Sequence, residues 1–315
     1  MKTAFLFHIC SALLLSSSCS LVTSQSQNTN TSKPNAEMSK DYSEAKEIAV
    51  LEDKNVNESS GVTASRKNAG MFWTHNDSGG GAFIYAFDTK GKRRGVWRVT
   101  GAENTDWEDI AIFTKDQNSY LYIGDIGDND KKRESIIVYR IVEPDVKKED
   151  ANATKSKALE TDKAEMIRLQ YPDGKHDAET LLVHPMTGDI YVVTKTSKSA
   201  AAIYKVSNPS VSETNKLVKI SDVSVPSIMK GFLTGGAISP DGRRVILCDY
   251  FAGFEFVLPA NSTKFDDIWK AKPLTVNIGQ RQQGEAVCYA SDGKAIYSTS
   301  EKTPAPLFEV RRITR

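Results

Sequence analysis

The sequence predicts an all-β chain folded as a five-bladed β-propeller, and three observations lead there. A short strand, a turn and a second strand recur five times. A third strand follows each copy and carries an aromatic in register. The fifth copy ends without a fourth strand, while one spare strand precedes the first copy.

The recurring hairpins are "GVTASRKNAGMFWTHND", "DIAIFTKDQNSYLYIGD", "TLLVHPMTGDIYVVTK", "GAISPDGRRVILCD" and "AVCYASDGKAIYSTSE". Their turns hold Asn-Ala-Gly, Asp-Gln-Asn, Thr-Gly-Asp and Asp-Gly, residues that accept left-handed backbone or cap it locally. The third strands "FIYAF", "IVYRI", "AIYKV", "FEFVL" and "PLFEV" align Tyr85, Tyr139, Tyr204, Phe256 and Phe308. Fourth strands follow as "GVWRV", "EMIRLQY", "KLVKI" and "PLTVNI", and "KEIAVLE" near the start supplies the one the last copy lacks. Repeats of four antiparallel strands arranged radially are a propeller. A sixth blade would have to hide in 143–165 or 208–232. The charged stretch "EPDVKKEDANATKSKALETDKAE" reads instead as a solvated insertion within blade two. Helical periodicity is confined to "KFDDIWKA", one or two turns.

Ahead of the domain at 45–315, residues 1–24 read as a secretory signal peptide. Lys2 precedes the apolar run "AFLFHICSALLL", and small residues lead to cleavage after Ser24. Residues 25–44 are polar and aperiodic, hence expected to be a disordered leader. The chain is therefore expected to be secreted and extracellular, with no transmembrane segment, and is taken as a monomer. Sequons occur at Asn30, Asn57, Asn76, Asn152 and Asn261, and those in polar loops, Asn30, Asn152 and Asn261, make it a candidate glycoprotein if the source is eukaryotic. A formal net charge of +1 offers no basic face for nucleic acid. The expected partner is a small molecule or an extracellular matrix or glycan ligand. Cys248 and Cys288, the cysteines beyond the signal region, form either one disulfide or two buried thiols. Trp73, Trp97 and Trp107 are assigned to packing between blades.

Carboxylates recur at the start of the first strands: Glu58, Glu108, Glu179 and Glu285, with Ala237 at the expected position of the fourth copy. In a propeller the first strand is innermost, so these glutamates are predicted to ring one mouth of the central channel. Second strands run antiparallel and return to that mouth, bringing His75, Asn76 and Asp77, then Asp125, Asp128 and Asn129, then Lys195, Asp249 and Glu301. Clustered like charges need a counter-charge. A hard divalent cation supplies it, and calcium takes six to eight oxygens of the kinds present here. The predicted ligands are Glu58, Asn76, Asp77, Glu108, Asp125, Asn129, Glu179 and Glu285. "GDIGDND" is open to either reading, as a turn with Asx hydrogen bonds or as a metal loop. If the site is catalytic, His75 or His176 is the expected general base and Lys195 the holder of an anionic group. Pairing Asp109 with Glu179 or Asp249 as glycosidase carboxylates is a further, lower-ranked option.

The motifs "ESSGVTASRKNAGMFWTHNDSGG", "DWEDIAI", "YIGDIGDN", "YPDGKHDAETLLVHPMTGDIYVVTK", "LTGGAISPDGRRV" and "QGEAVCY" together resemble a family of secreted propeller proteins best populated in bacteria. The resemblance covers about residues 47–313. More loosely, the ring of inward Glu, Asn and Asp is similar to calcium-dependent six-bladed hydrolases of the gluconolactonase and paraoxonase type, and to propeller phytases. That likeness implies a channel calcium that polarises a lactone or phosphate oxygen. It places Glu58, Glu108, Glu179 and Glu285 toward the metal, Asp125 and Asn129 beside them, and His75 or His176 at the proton. Five blades instead of six, and Ala237 in place of an acid, are departures from the pattern. The function expected is that of a secreted calcium-binding module; the alternative is a calcium-dependent hydrolase of a small ester, lactone or phosphoester.

Overall fold

The computed structural model describes residues 36–313. The signal segment, the sequon at Asn30 and the first part of the leader lie outside the described residues. Five sheets surround one axis, each with four antiparallel strands, and blades one and two add a short parallel strand at the outer edge, Leu159–Glu160 and Thr214–Lys216. From the axis outward, blade one is Ser59–Ala64, Met71–Asn76, Phe83–Asp88 and Arg93–Arg98; blade two is Trp107–Lys115, Asn118–Asp125, Ile136–Val142 and Glu165–Gln170. Blade three is Ala178–Val183, Ile190–Thr194, Ala201–Val206 and Val218–Val223. Blade four is Gly235–Ile238, Arg244–Cys248, Gly253–Val257 and Leu274–Val276. Blade five runs Gly284–Tyr289, Ala295–Ser300 and Pro306–Arg311, and its outermost strand is Lys46–Val50 from the other end of the chain. The predicted closure is thus realised by antiparallel pairing of Lys46 with Glu309 and Glu47 with Phe308. Among the described residues no helix is long and apolar enough to cross a membrane.

The blades meet through large apolar faces. Tyr85, Tyr139, Tyr204, Phe256 and Phe308 are all buried, which removes aromatic area from water between neighbouring sheets. Trp73, Trp97 and Trp107 pack in one cluster between blades one and two, with Trp73 and Trp97 edge to face at 5.1 Å. Cys248 and Cys288 are both buried free thiols, and burial pushes each up to about 12.

Two segments are more tightly attached than their composition suggests. The leader docks from Glu37 onward: Ser39 N–H donates to Thr275 O, Thr275 N–H to Glu37 O, and Ile313 N–H to Asp41 O. Tyr42 is buried and its hydroxyl donates to Glu255 Oε1 at 2.5 Å. The charged insertion after residue 142 crosses to blade one, where Leu159 pairs with Trp97. Its first residue, Glu143, is fully buried and accepts from Trp73 Nε1 at 2.8 Å and from Ser65 Oγ. A polar stretch reads as solvated by composition, but one buried acceptor that meets three donors anchors it.

Candidate functional site

All five inner strands start at the same end of the channel, and the register of each decides what its first side chains do. In blades two and three one extra residue interrupts the pairing with the second strand. Trp107 pairs with Asp125 and Asp109 with Gly124, leaving Glu108 between them; Ala178 pairs with Thr194 and Thr180 with Val193, leaving Glu179. Blade five has the same irregularity across Glu285 and Ala286. A bulge re-aims the extra side chain out of the alternating pattern. Glu108, Glu179 and Glu285 therefore occupy one repeated position.

Blades one and four depart from this. In blade one the interrupted residue is Ser60, because Ser59 pairs with Asn76 and Gly61 with His75. Glu58 lies two residues outside that position, half-buried, and is not the equivalent of the other three glutamates. Blade four has no bulge: Gly235 pairs with Cys248 and Gly236 with Leu247. Ala237 sits one residue deeper still, so the missing acid is a missing bulge.

A tighter cluster forms where blade one meets blade two. Asp77, at the end of the second strand of blade one, joins Asp106 and Glu108, and carboxylate oxygens from all three lie within 4.8 Å of one another. The stretch "WTHNDSGGG" is the local reason. Left-handed backbone at Gly79 and Gly81 folds the loop back, and Asn104 Nδ2 donates to Asp77 O at 2.6 Å, tying the two blades together. Gly127 leaves room on the other side. A Cβ there would lie 2.6 Å from Asp106 Cγ and still closer to Glu108 Oε1.

"GDIGDND" is an Asx turn that supports this cluster from behind. Asp125 accepts from Asp106 N–H at 3.1 Å and pairs with Arg133 Nη1 at 2.7 Å. The Asp128 carboxylate accepts the N–H groups of Lys132 and Arg133. Asp125 thus positions Asp106, and Asn129 is exposed on the turn. Asn76 is likewise committed: its Nδ2 donates to Asn55 O at 2.6 Å and its Oδ1 accepts from Glu58 N–H. A glycan at that buried amide would displace both contacts.

Around the cluster the mouth carries further acids. Glu179 meets Lys195 Nζ through Oε1, and its Oε2 is buried without a partner. Lys195 sits over the Phe232 ring at 4.6 Å. Gln283 Nε2 donates to Glu285 Oε1 at 3.3 Å and also to Glu301. Burial, then repulsion from Asp106, pushes Asp77 up to about 7. Burial pushes Glu179 up to about 8 despite Lys195. Burial and the adjoining Glu301 push Glu285 up to about 10. Glu108 is raised well above the carboxylate range by burial and by Glu179, Asp77 and Asp106. The mouth gathers carboxyl groups whose ionisation burial and mutual repulsion oppose, with Lys195 as the cation paired to Glu179.

Neither histidine proposed as a base reaches this cluster's open side. His75 is wholly buried, 0% exposed, with Nδ1 against Asn76 O and its ring edge-on to Trp107 at 5.6 Å. Burial lowers it to about 4. Its strand is covered on both faces, Phe72 to Asn76 all being buried, so either orientation would enclose the ring. His176 belongs to a separate set, hydrogen-bonded through Nε2 with Asp173 Oδ1 and Tyr204 OH, both at 3.0 Å. Asp109 is also withdrawn: it is fully buried and accepts from Ile110, Leu181 and Gly236 N–H, stapling blades two, three and four across the axis.

The residue that sequence reasoning missed is Asp106. It lies in a loop, outside the strand repeat, although "TDWEDI" crowds three acids into four positions. No protein-family model matches the chain, and a search of curated proteins gives no match either. Fold and site together define a five-bladed β-propeller with a carboxylate-lined channel mouth.

Proposed function

We propose that this protein is an exported, extracellular propeller that binds a divalent cation, calcium, at the channel mouth through Asp77, Asp106 and Glu108, and serves as a binding module for a small-molecule, matrix or glycan ligand. The reading is carried by the convergence of those three carboxylates within 4.8 Å. Calcium–oxygen distances of about 2.3–2.6 Å allow ligand atoms that far apart to share one ion. The donor set is all oxygen, which suits calcium over zinc. The buried, unpartnered Oε2 of Glu179 offers one more oxygen at the same mouth. The glycine at 127 preserves the space in which Asp106 and Glu108 meet. The resemblance to secreted propellers supports the extracellular assignment.

The test is thermal melting in calcium and in EDTA. Calcium at a hundredfold excess over its Kd is expected to add about 2.7 kcal/mol of stability. Asp106→Asn and Glu108→Gln are expected to abolish that gain. An unchanged melting temperature in wild type removes the cation from the proposal.

A hydrolase is the second reading, favoured by Glu179, a buried carboxyl raised by desolvation whose Oε2 has no partner and is placed to exchange a proton. A panel of lactones, esters and phosphoesters tests it. Glu179→Gln should abolish turnover while calcium still stabilises the fold; no turnover on any class of substrate leaves the binding module.

A further inference from the structure

The other half of the channel is chemically different. Below Asp109, a cavity of about 30 Å³ is lined by the inner strands of all five blades and by Arg66. Arg66 extends from the end of blade one, and its Nη1 is buried with no hydrogen-bond partner. Burial lowers its guanidinium from the ordinary range, although Cys288 and the Glu143 carboxylate act in the opposite direction, and neither occupies Nη1. A desolvated cation with an idle donor is costly unless something negative or polar meets it.

The walls supply more donors. Leu181 and Gly236 N–H reach Asp109 across the axis at 3.0 and 3.3 Å, and Ile110 N–H reaches it at 2.8 Å. These amides therefore point into the channel, away from their own sheets. Strand geometry repeats every two residues. The next N–H groups facing the same way are those of Ile112, Val183 and Ile238, all of which line the cavity. The sheet-facing alternates agree: His184 and Ser239 N–H, one residue further on, bond within their own hairpins. Asp109 demonstrates that one such ring of amides donates to a carboxylate, Ile110 N–H to Oδ1 and Leu181 and Gly236 N–H to Oδ2. The ring below it has Arg66 in addition, and no carboxylate lines that space.

We propose that this half of the channel binds a small monovalent anion of halide size, held by Arg66 Nη1 and by the N–H groups of Ile112, Val183 and Ile238. The volume suits an occupant about the size of one or two waters, which excludes sulfate, phosphate and larger organic acids. The anion would meet the idle donor of Arg66 and tie blades two, three and four a second time, below Asp109, adding blade one through Arg66. This proposal is independent of the cation at the opposite mouth.

Two measurements, both in EDTA, test it. Crystals of the wild-type protein grown in sodium bromide should show an anomalous peak beside Arg66 Nη1. Melting at constant ionic strength should rise saturably, by several degrees, as sodium gluconate is replaced by sodium chloride, and Arg66→Gln should remove that rise. Arg66→Lys should restore part of it. A bromide-free channel overturns the proposal, whether or not the variants fold, and so does an identical chloride response in wild type and Arg66→Gln; the cavity would then be a water site.

Discussion

Glu179 divides its two oxygens: Oε1 is paired with Lys195 Nζ, and Oε2 is buried and unpartnered. Both side chains are largely shielded from solvent, at 5% and 13% exposure. Burial alone would lower the Lys195 ammonium, but Glu179 beside it holds it above its usual range. Lys195 is thus the built-in counter-charge of the mouth, and it competes with any cation for the same carboxylate. Lys195→Met should therefore separate two effects. Removing one partner of a buried pair is expected to destabilise the metal-free protein by about 3 kcal/mol. Calcium affinity should rise several-fold, because a positive neighbour is gone. Denaturation in EDTA and calorimetric titration measure the two; a weaker calcium affinity in the variant would show that Lys195 does not oppose the cation.

The mouth also predicts a pH dependence of definite sign. Asp77, Glu179 and Glu285 titrate at about 7, 8 and 10 in the folded protein, against ordinary values of 3.8 for Asp and 4.5 for Glu. Groups with raised folded values stabilise fully below their unfolded pKa and lose that stabilisation as pH rises through the folded one. His75 works the other way. Lowered to about 4 from 6.5, it costs stability only as pH falls below 6.5, and is neutral to the balance above it. Above pH 6.5, where His75 no longer contributes, the metal-free protein should therefore become less stable as pH rises, through Asp77 to about 7, Glu179 to about 8 and Glu285 to about 10. Saturating calcium should flatten or invert that slope, because the ion favours the ionised carboxylates. Melting curves at four pH values with and without EDTA suffice, and a metal-free stability that climbs over this range contradicts the burial argument.

Asp109 makes a prediction about the fold itself. Its carboxyl accepts three backbone N–H groups from three blades, and full burial raises its pKa well above the carboxylate range. Asp109→Ala leaves those donors facing an apolar void and is expected to cost about 3 kcal/mol or more. Asp109→Asn keeps one acceptor oxygen and should cost less, about 1 kcal/mol. Urea denaturation compares them. An alanine variant within 0.5 kcal/mol of wild type, roughly the scatter of neutral surface changes, would mean that the staple contributes nothing.

The strands and the closure of the ring were legible in the sequence because hairpin turns, a shared third-strand aromatic and a spare first strand all express the same repeat. The mouth was only half legible. Counting positions aligned Glu58 with Glu108, Glu179 and Glu285, but a bulge adds one residue without any mark in the composition, and in blade one that residue is Ser60. Blade four's lack of a bulge was likewise invisible and read as a substitution at Ala237. Asp106 escaped because it sits in a loop, positioned by Asp125 and not by strand register. His75 is buried because its strand is covered by neighbouring blades on both faces, which its polar neighbours in sequence do not reveal. The docking of Glu143 depends on donors far away in the chain, Ser65 and Trp73, which no local pattern announces.

Gly127 gives the sharpest test of the cluster because it carries no charge and ligates nothing. An added Cβ would crowd Asp106 Cγ at 2.6 Å and press on Glu108 Oε1, separations that real side chains do not tolerate. Gly127 does not have a positive φ, so alanine there introduces no left-handed strain, and any effect comes from displaced carboxylates. The expected outcome for Gly127→Ala is a fold retained, with calcium affinity reduced by tenfold or more, equivalent to about 1.4 kcal/mol. Circular dichroism reports the first and calorimetric titration the second. If Gly127→Ala binds calcium as tightly as wild type, Asp106 and Glu108 do not act together on one ion.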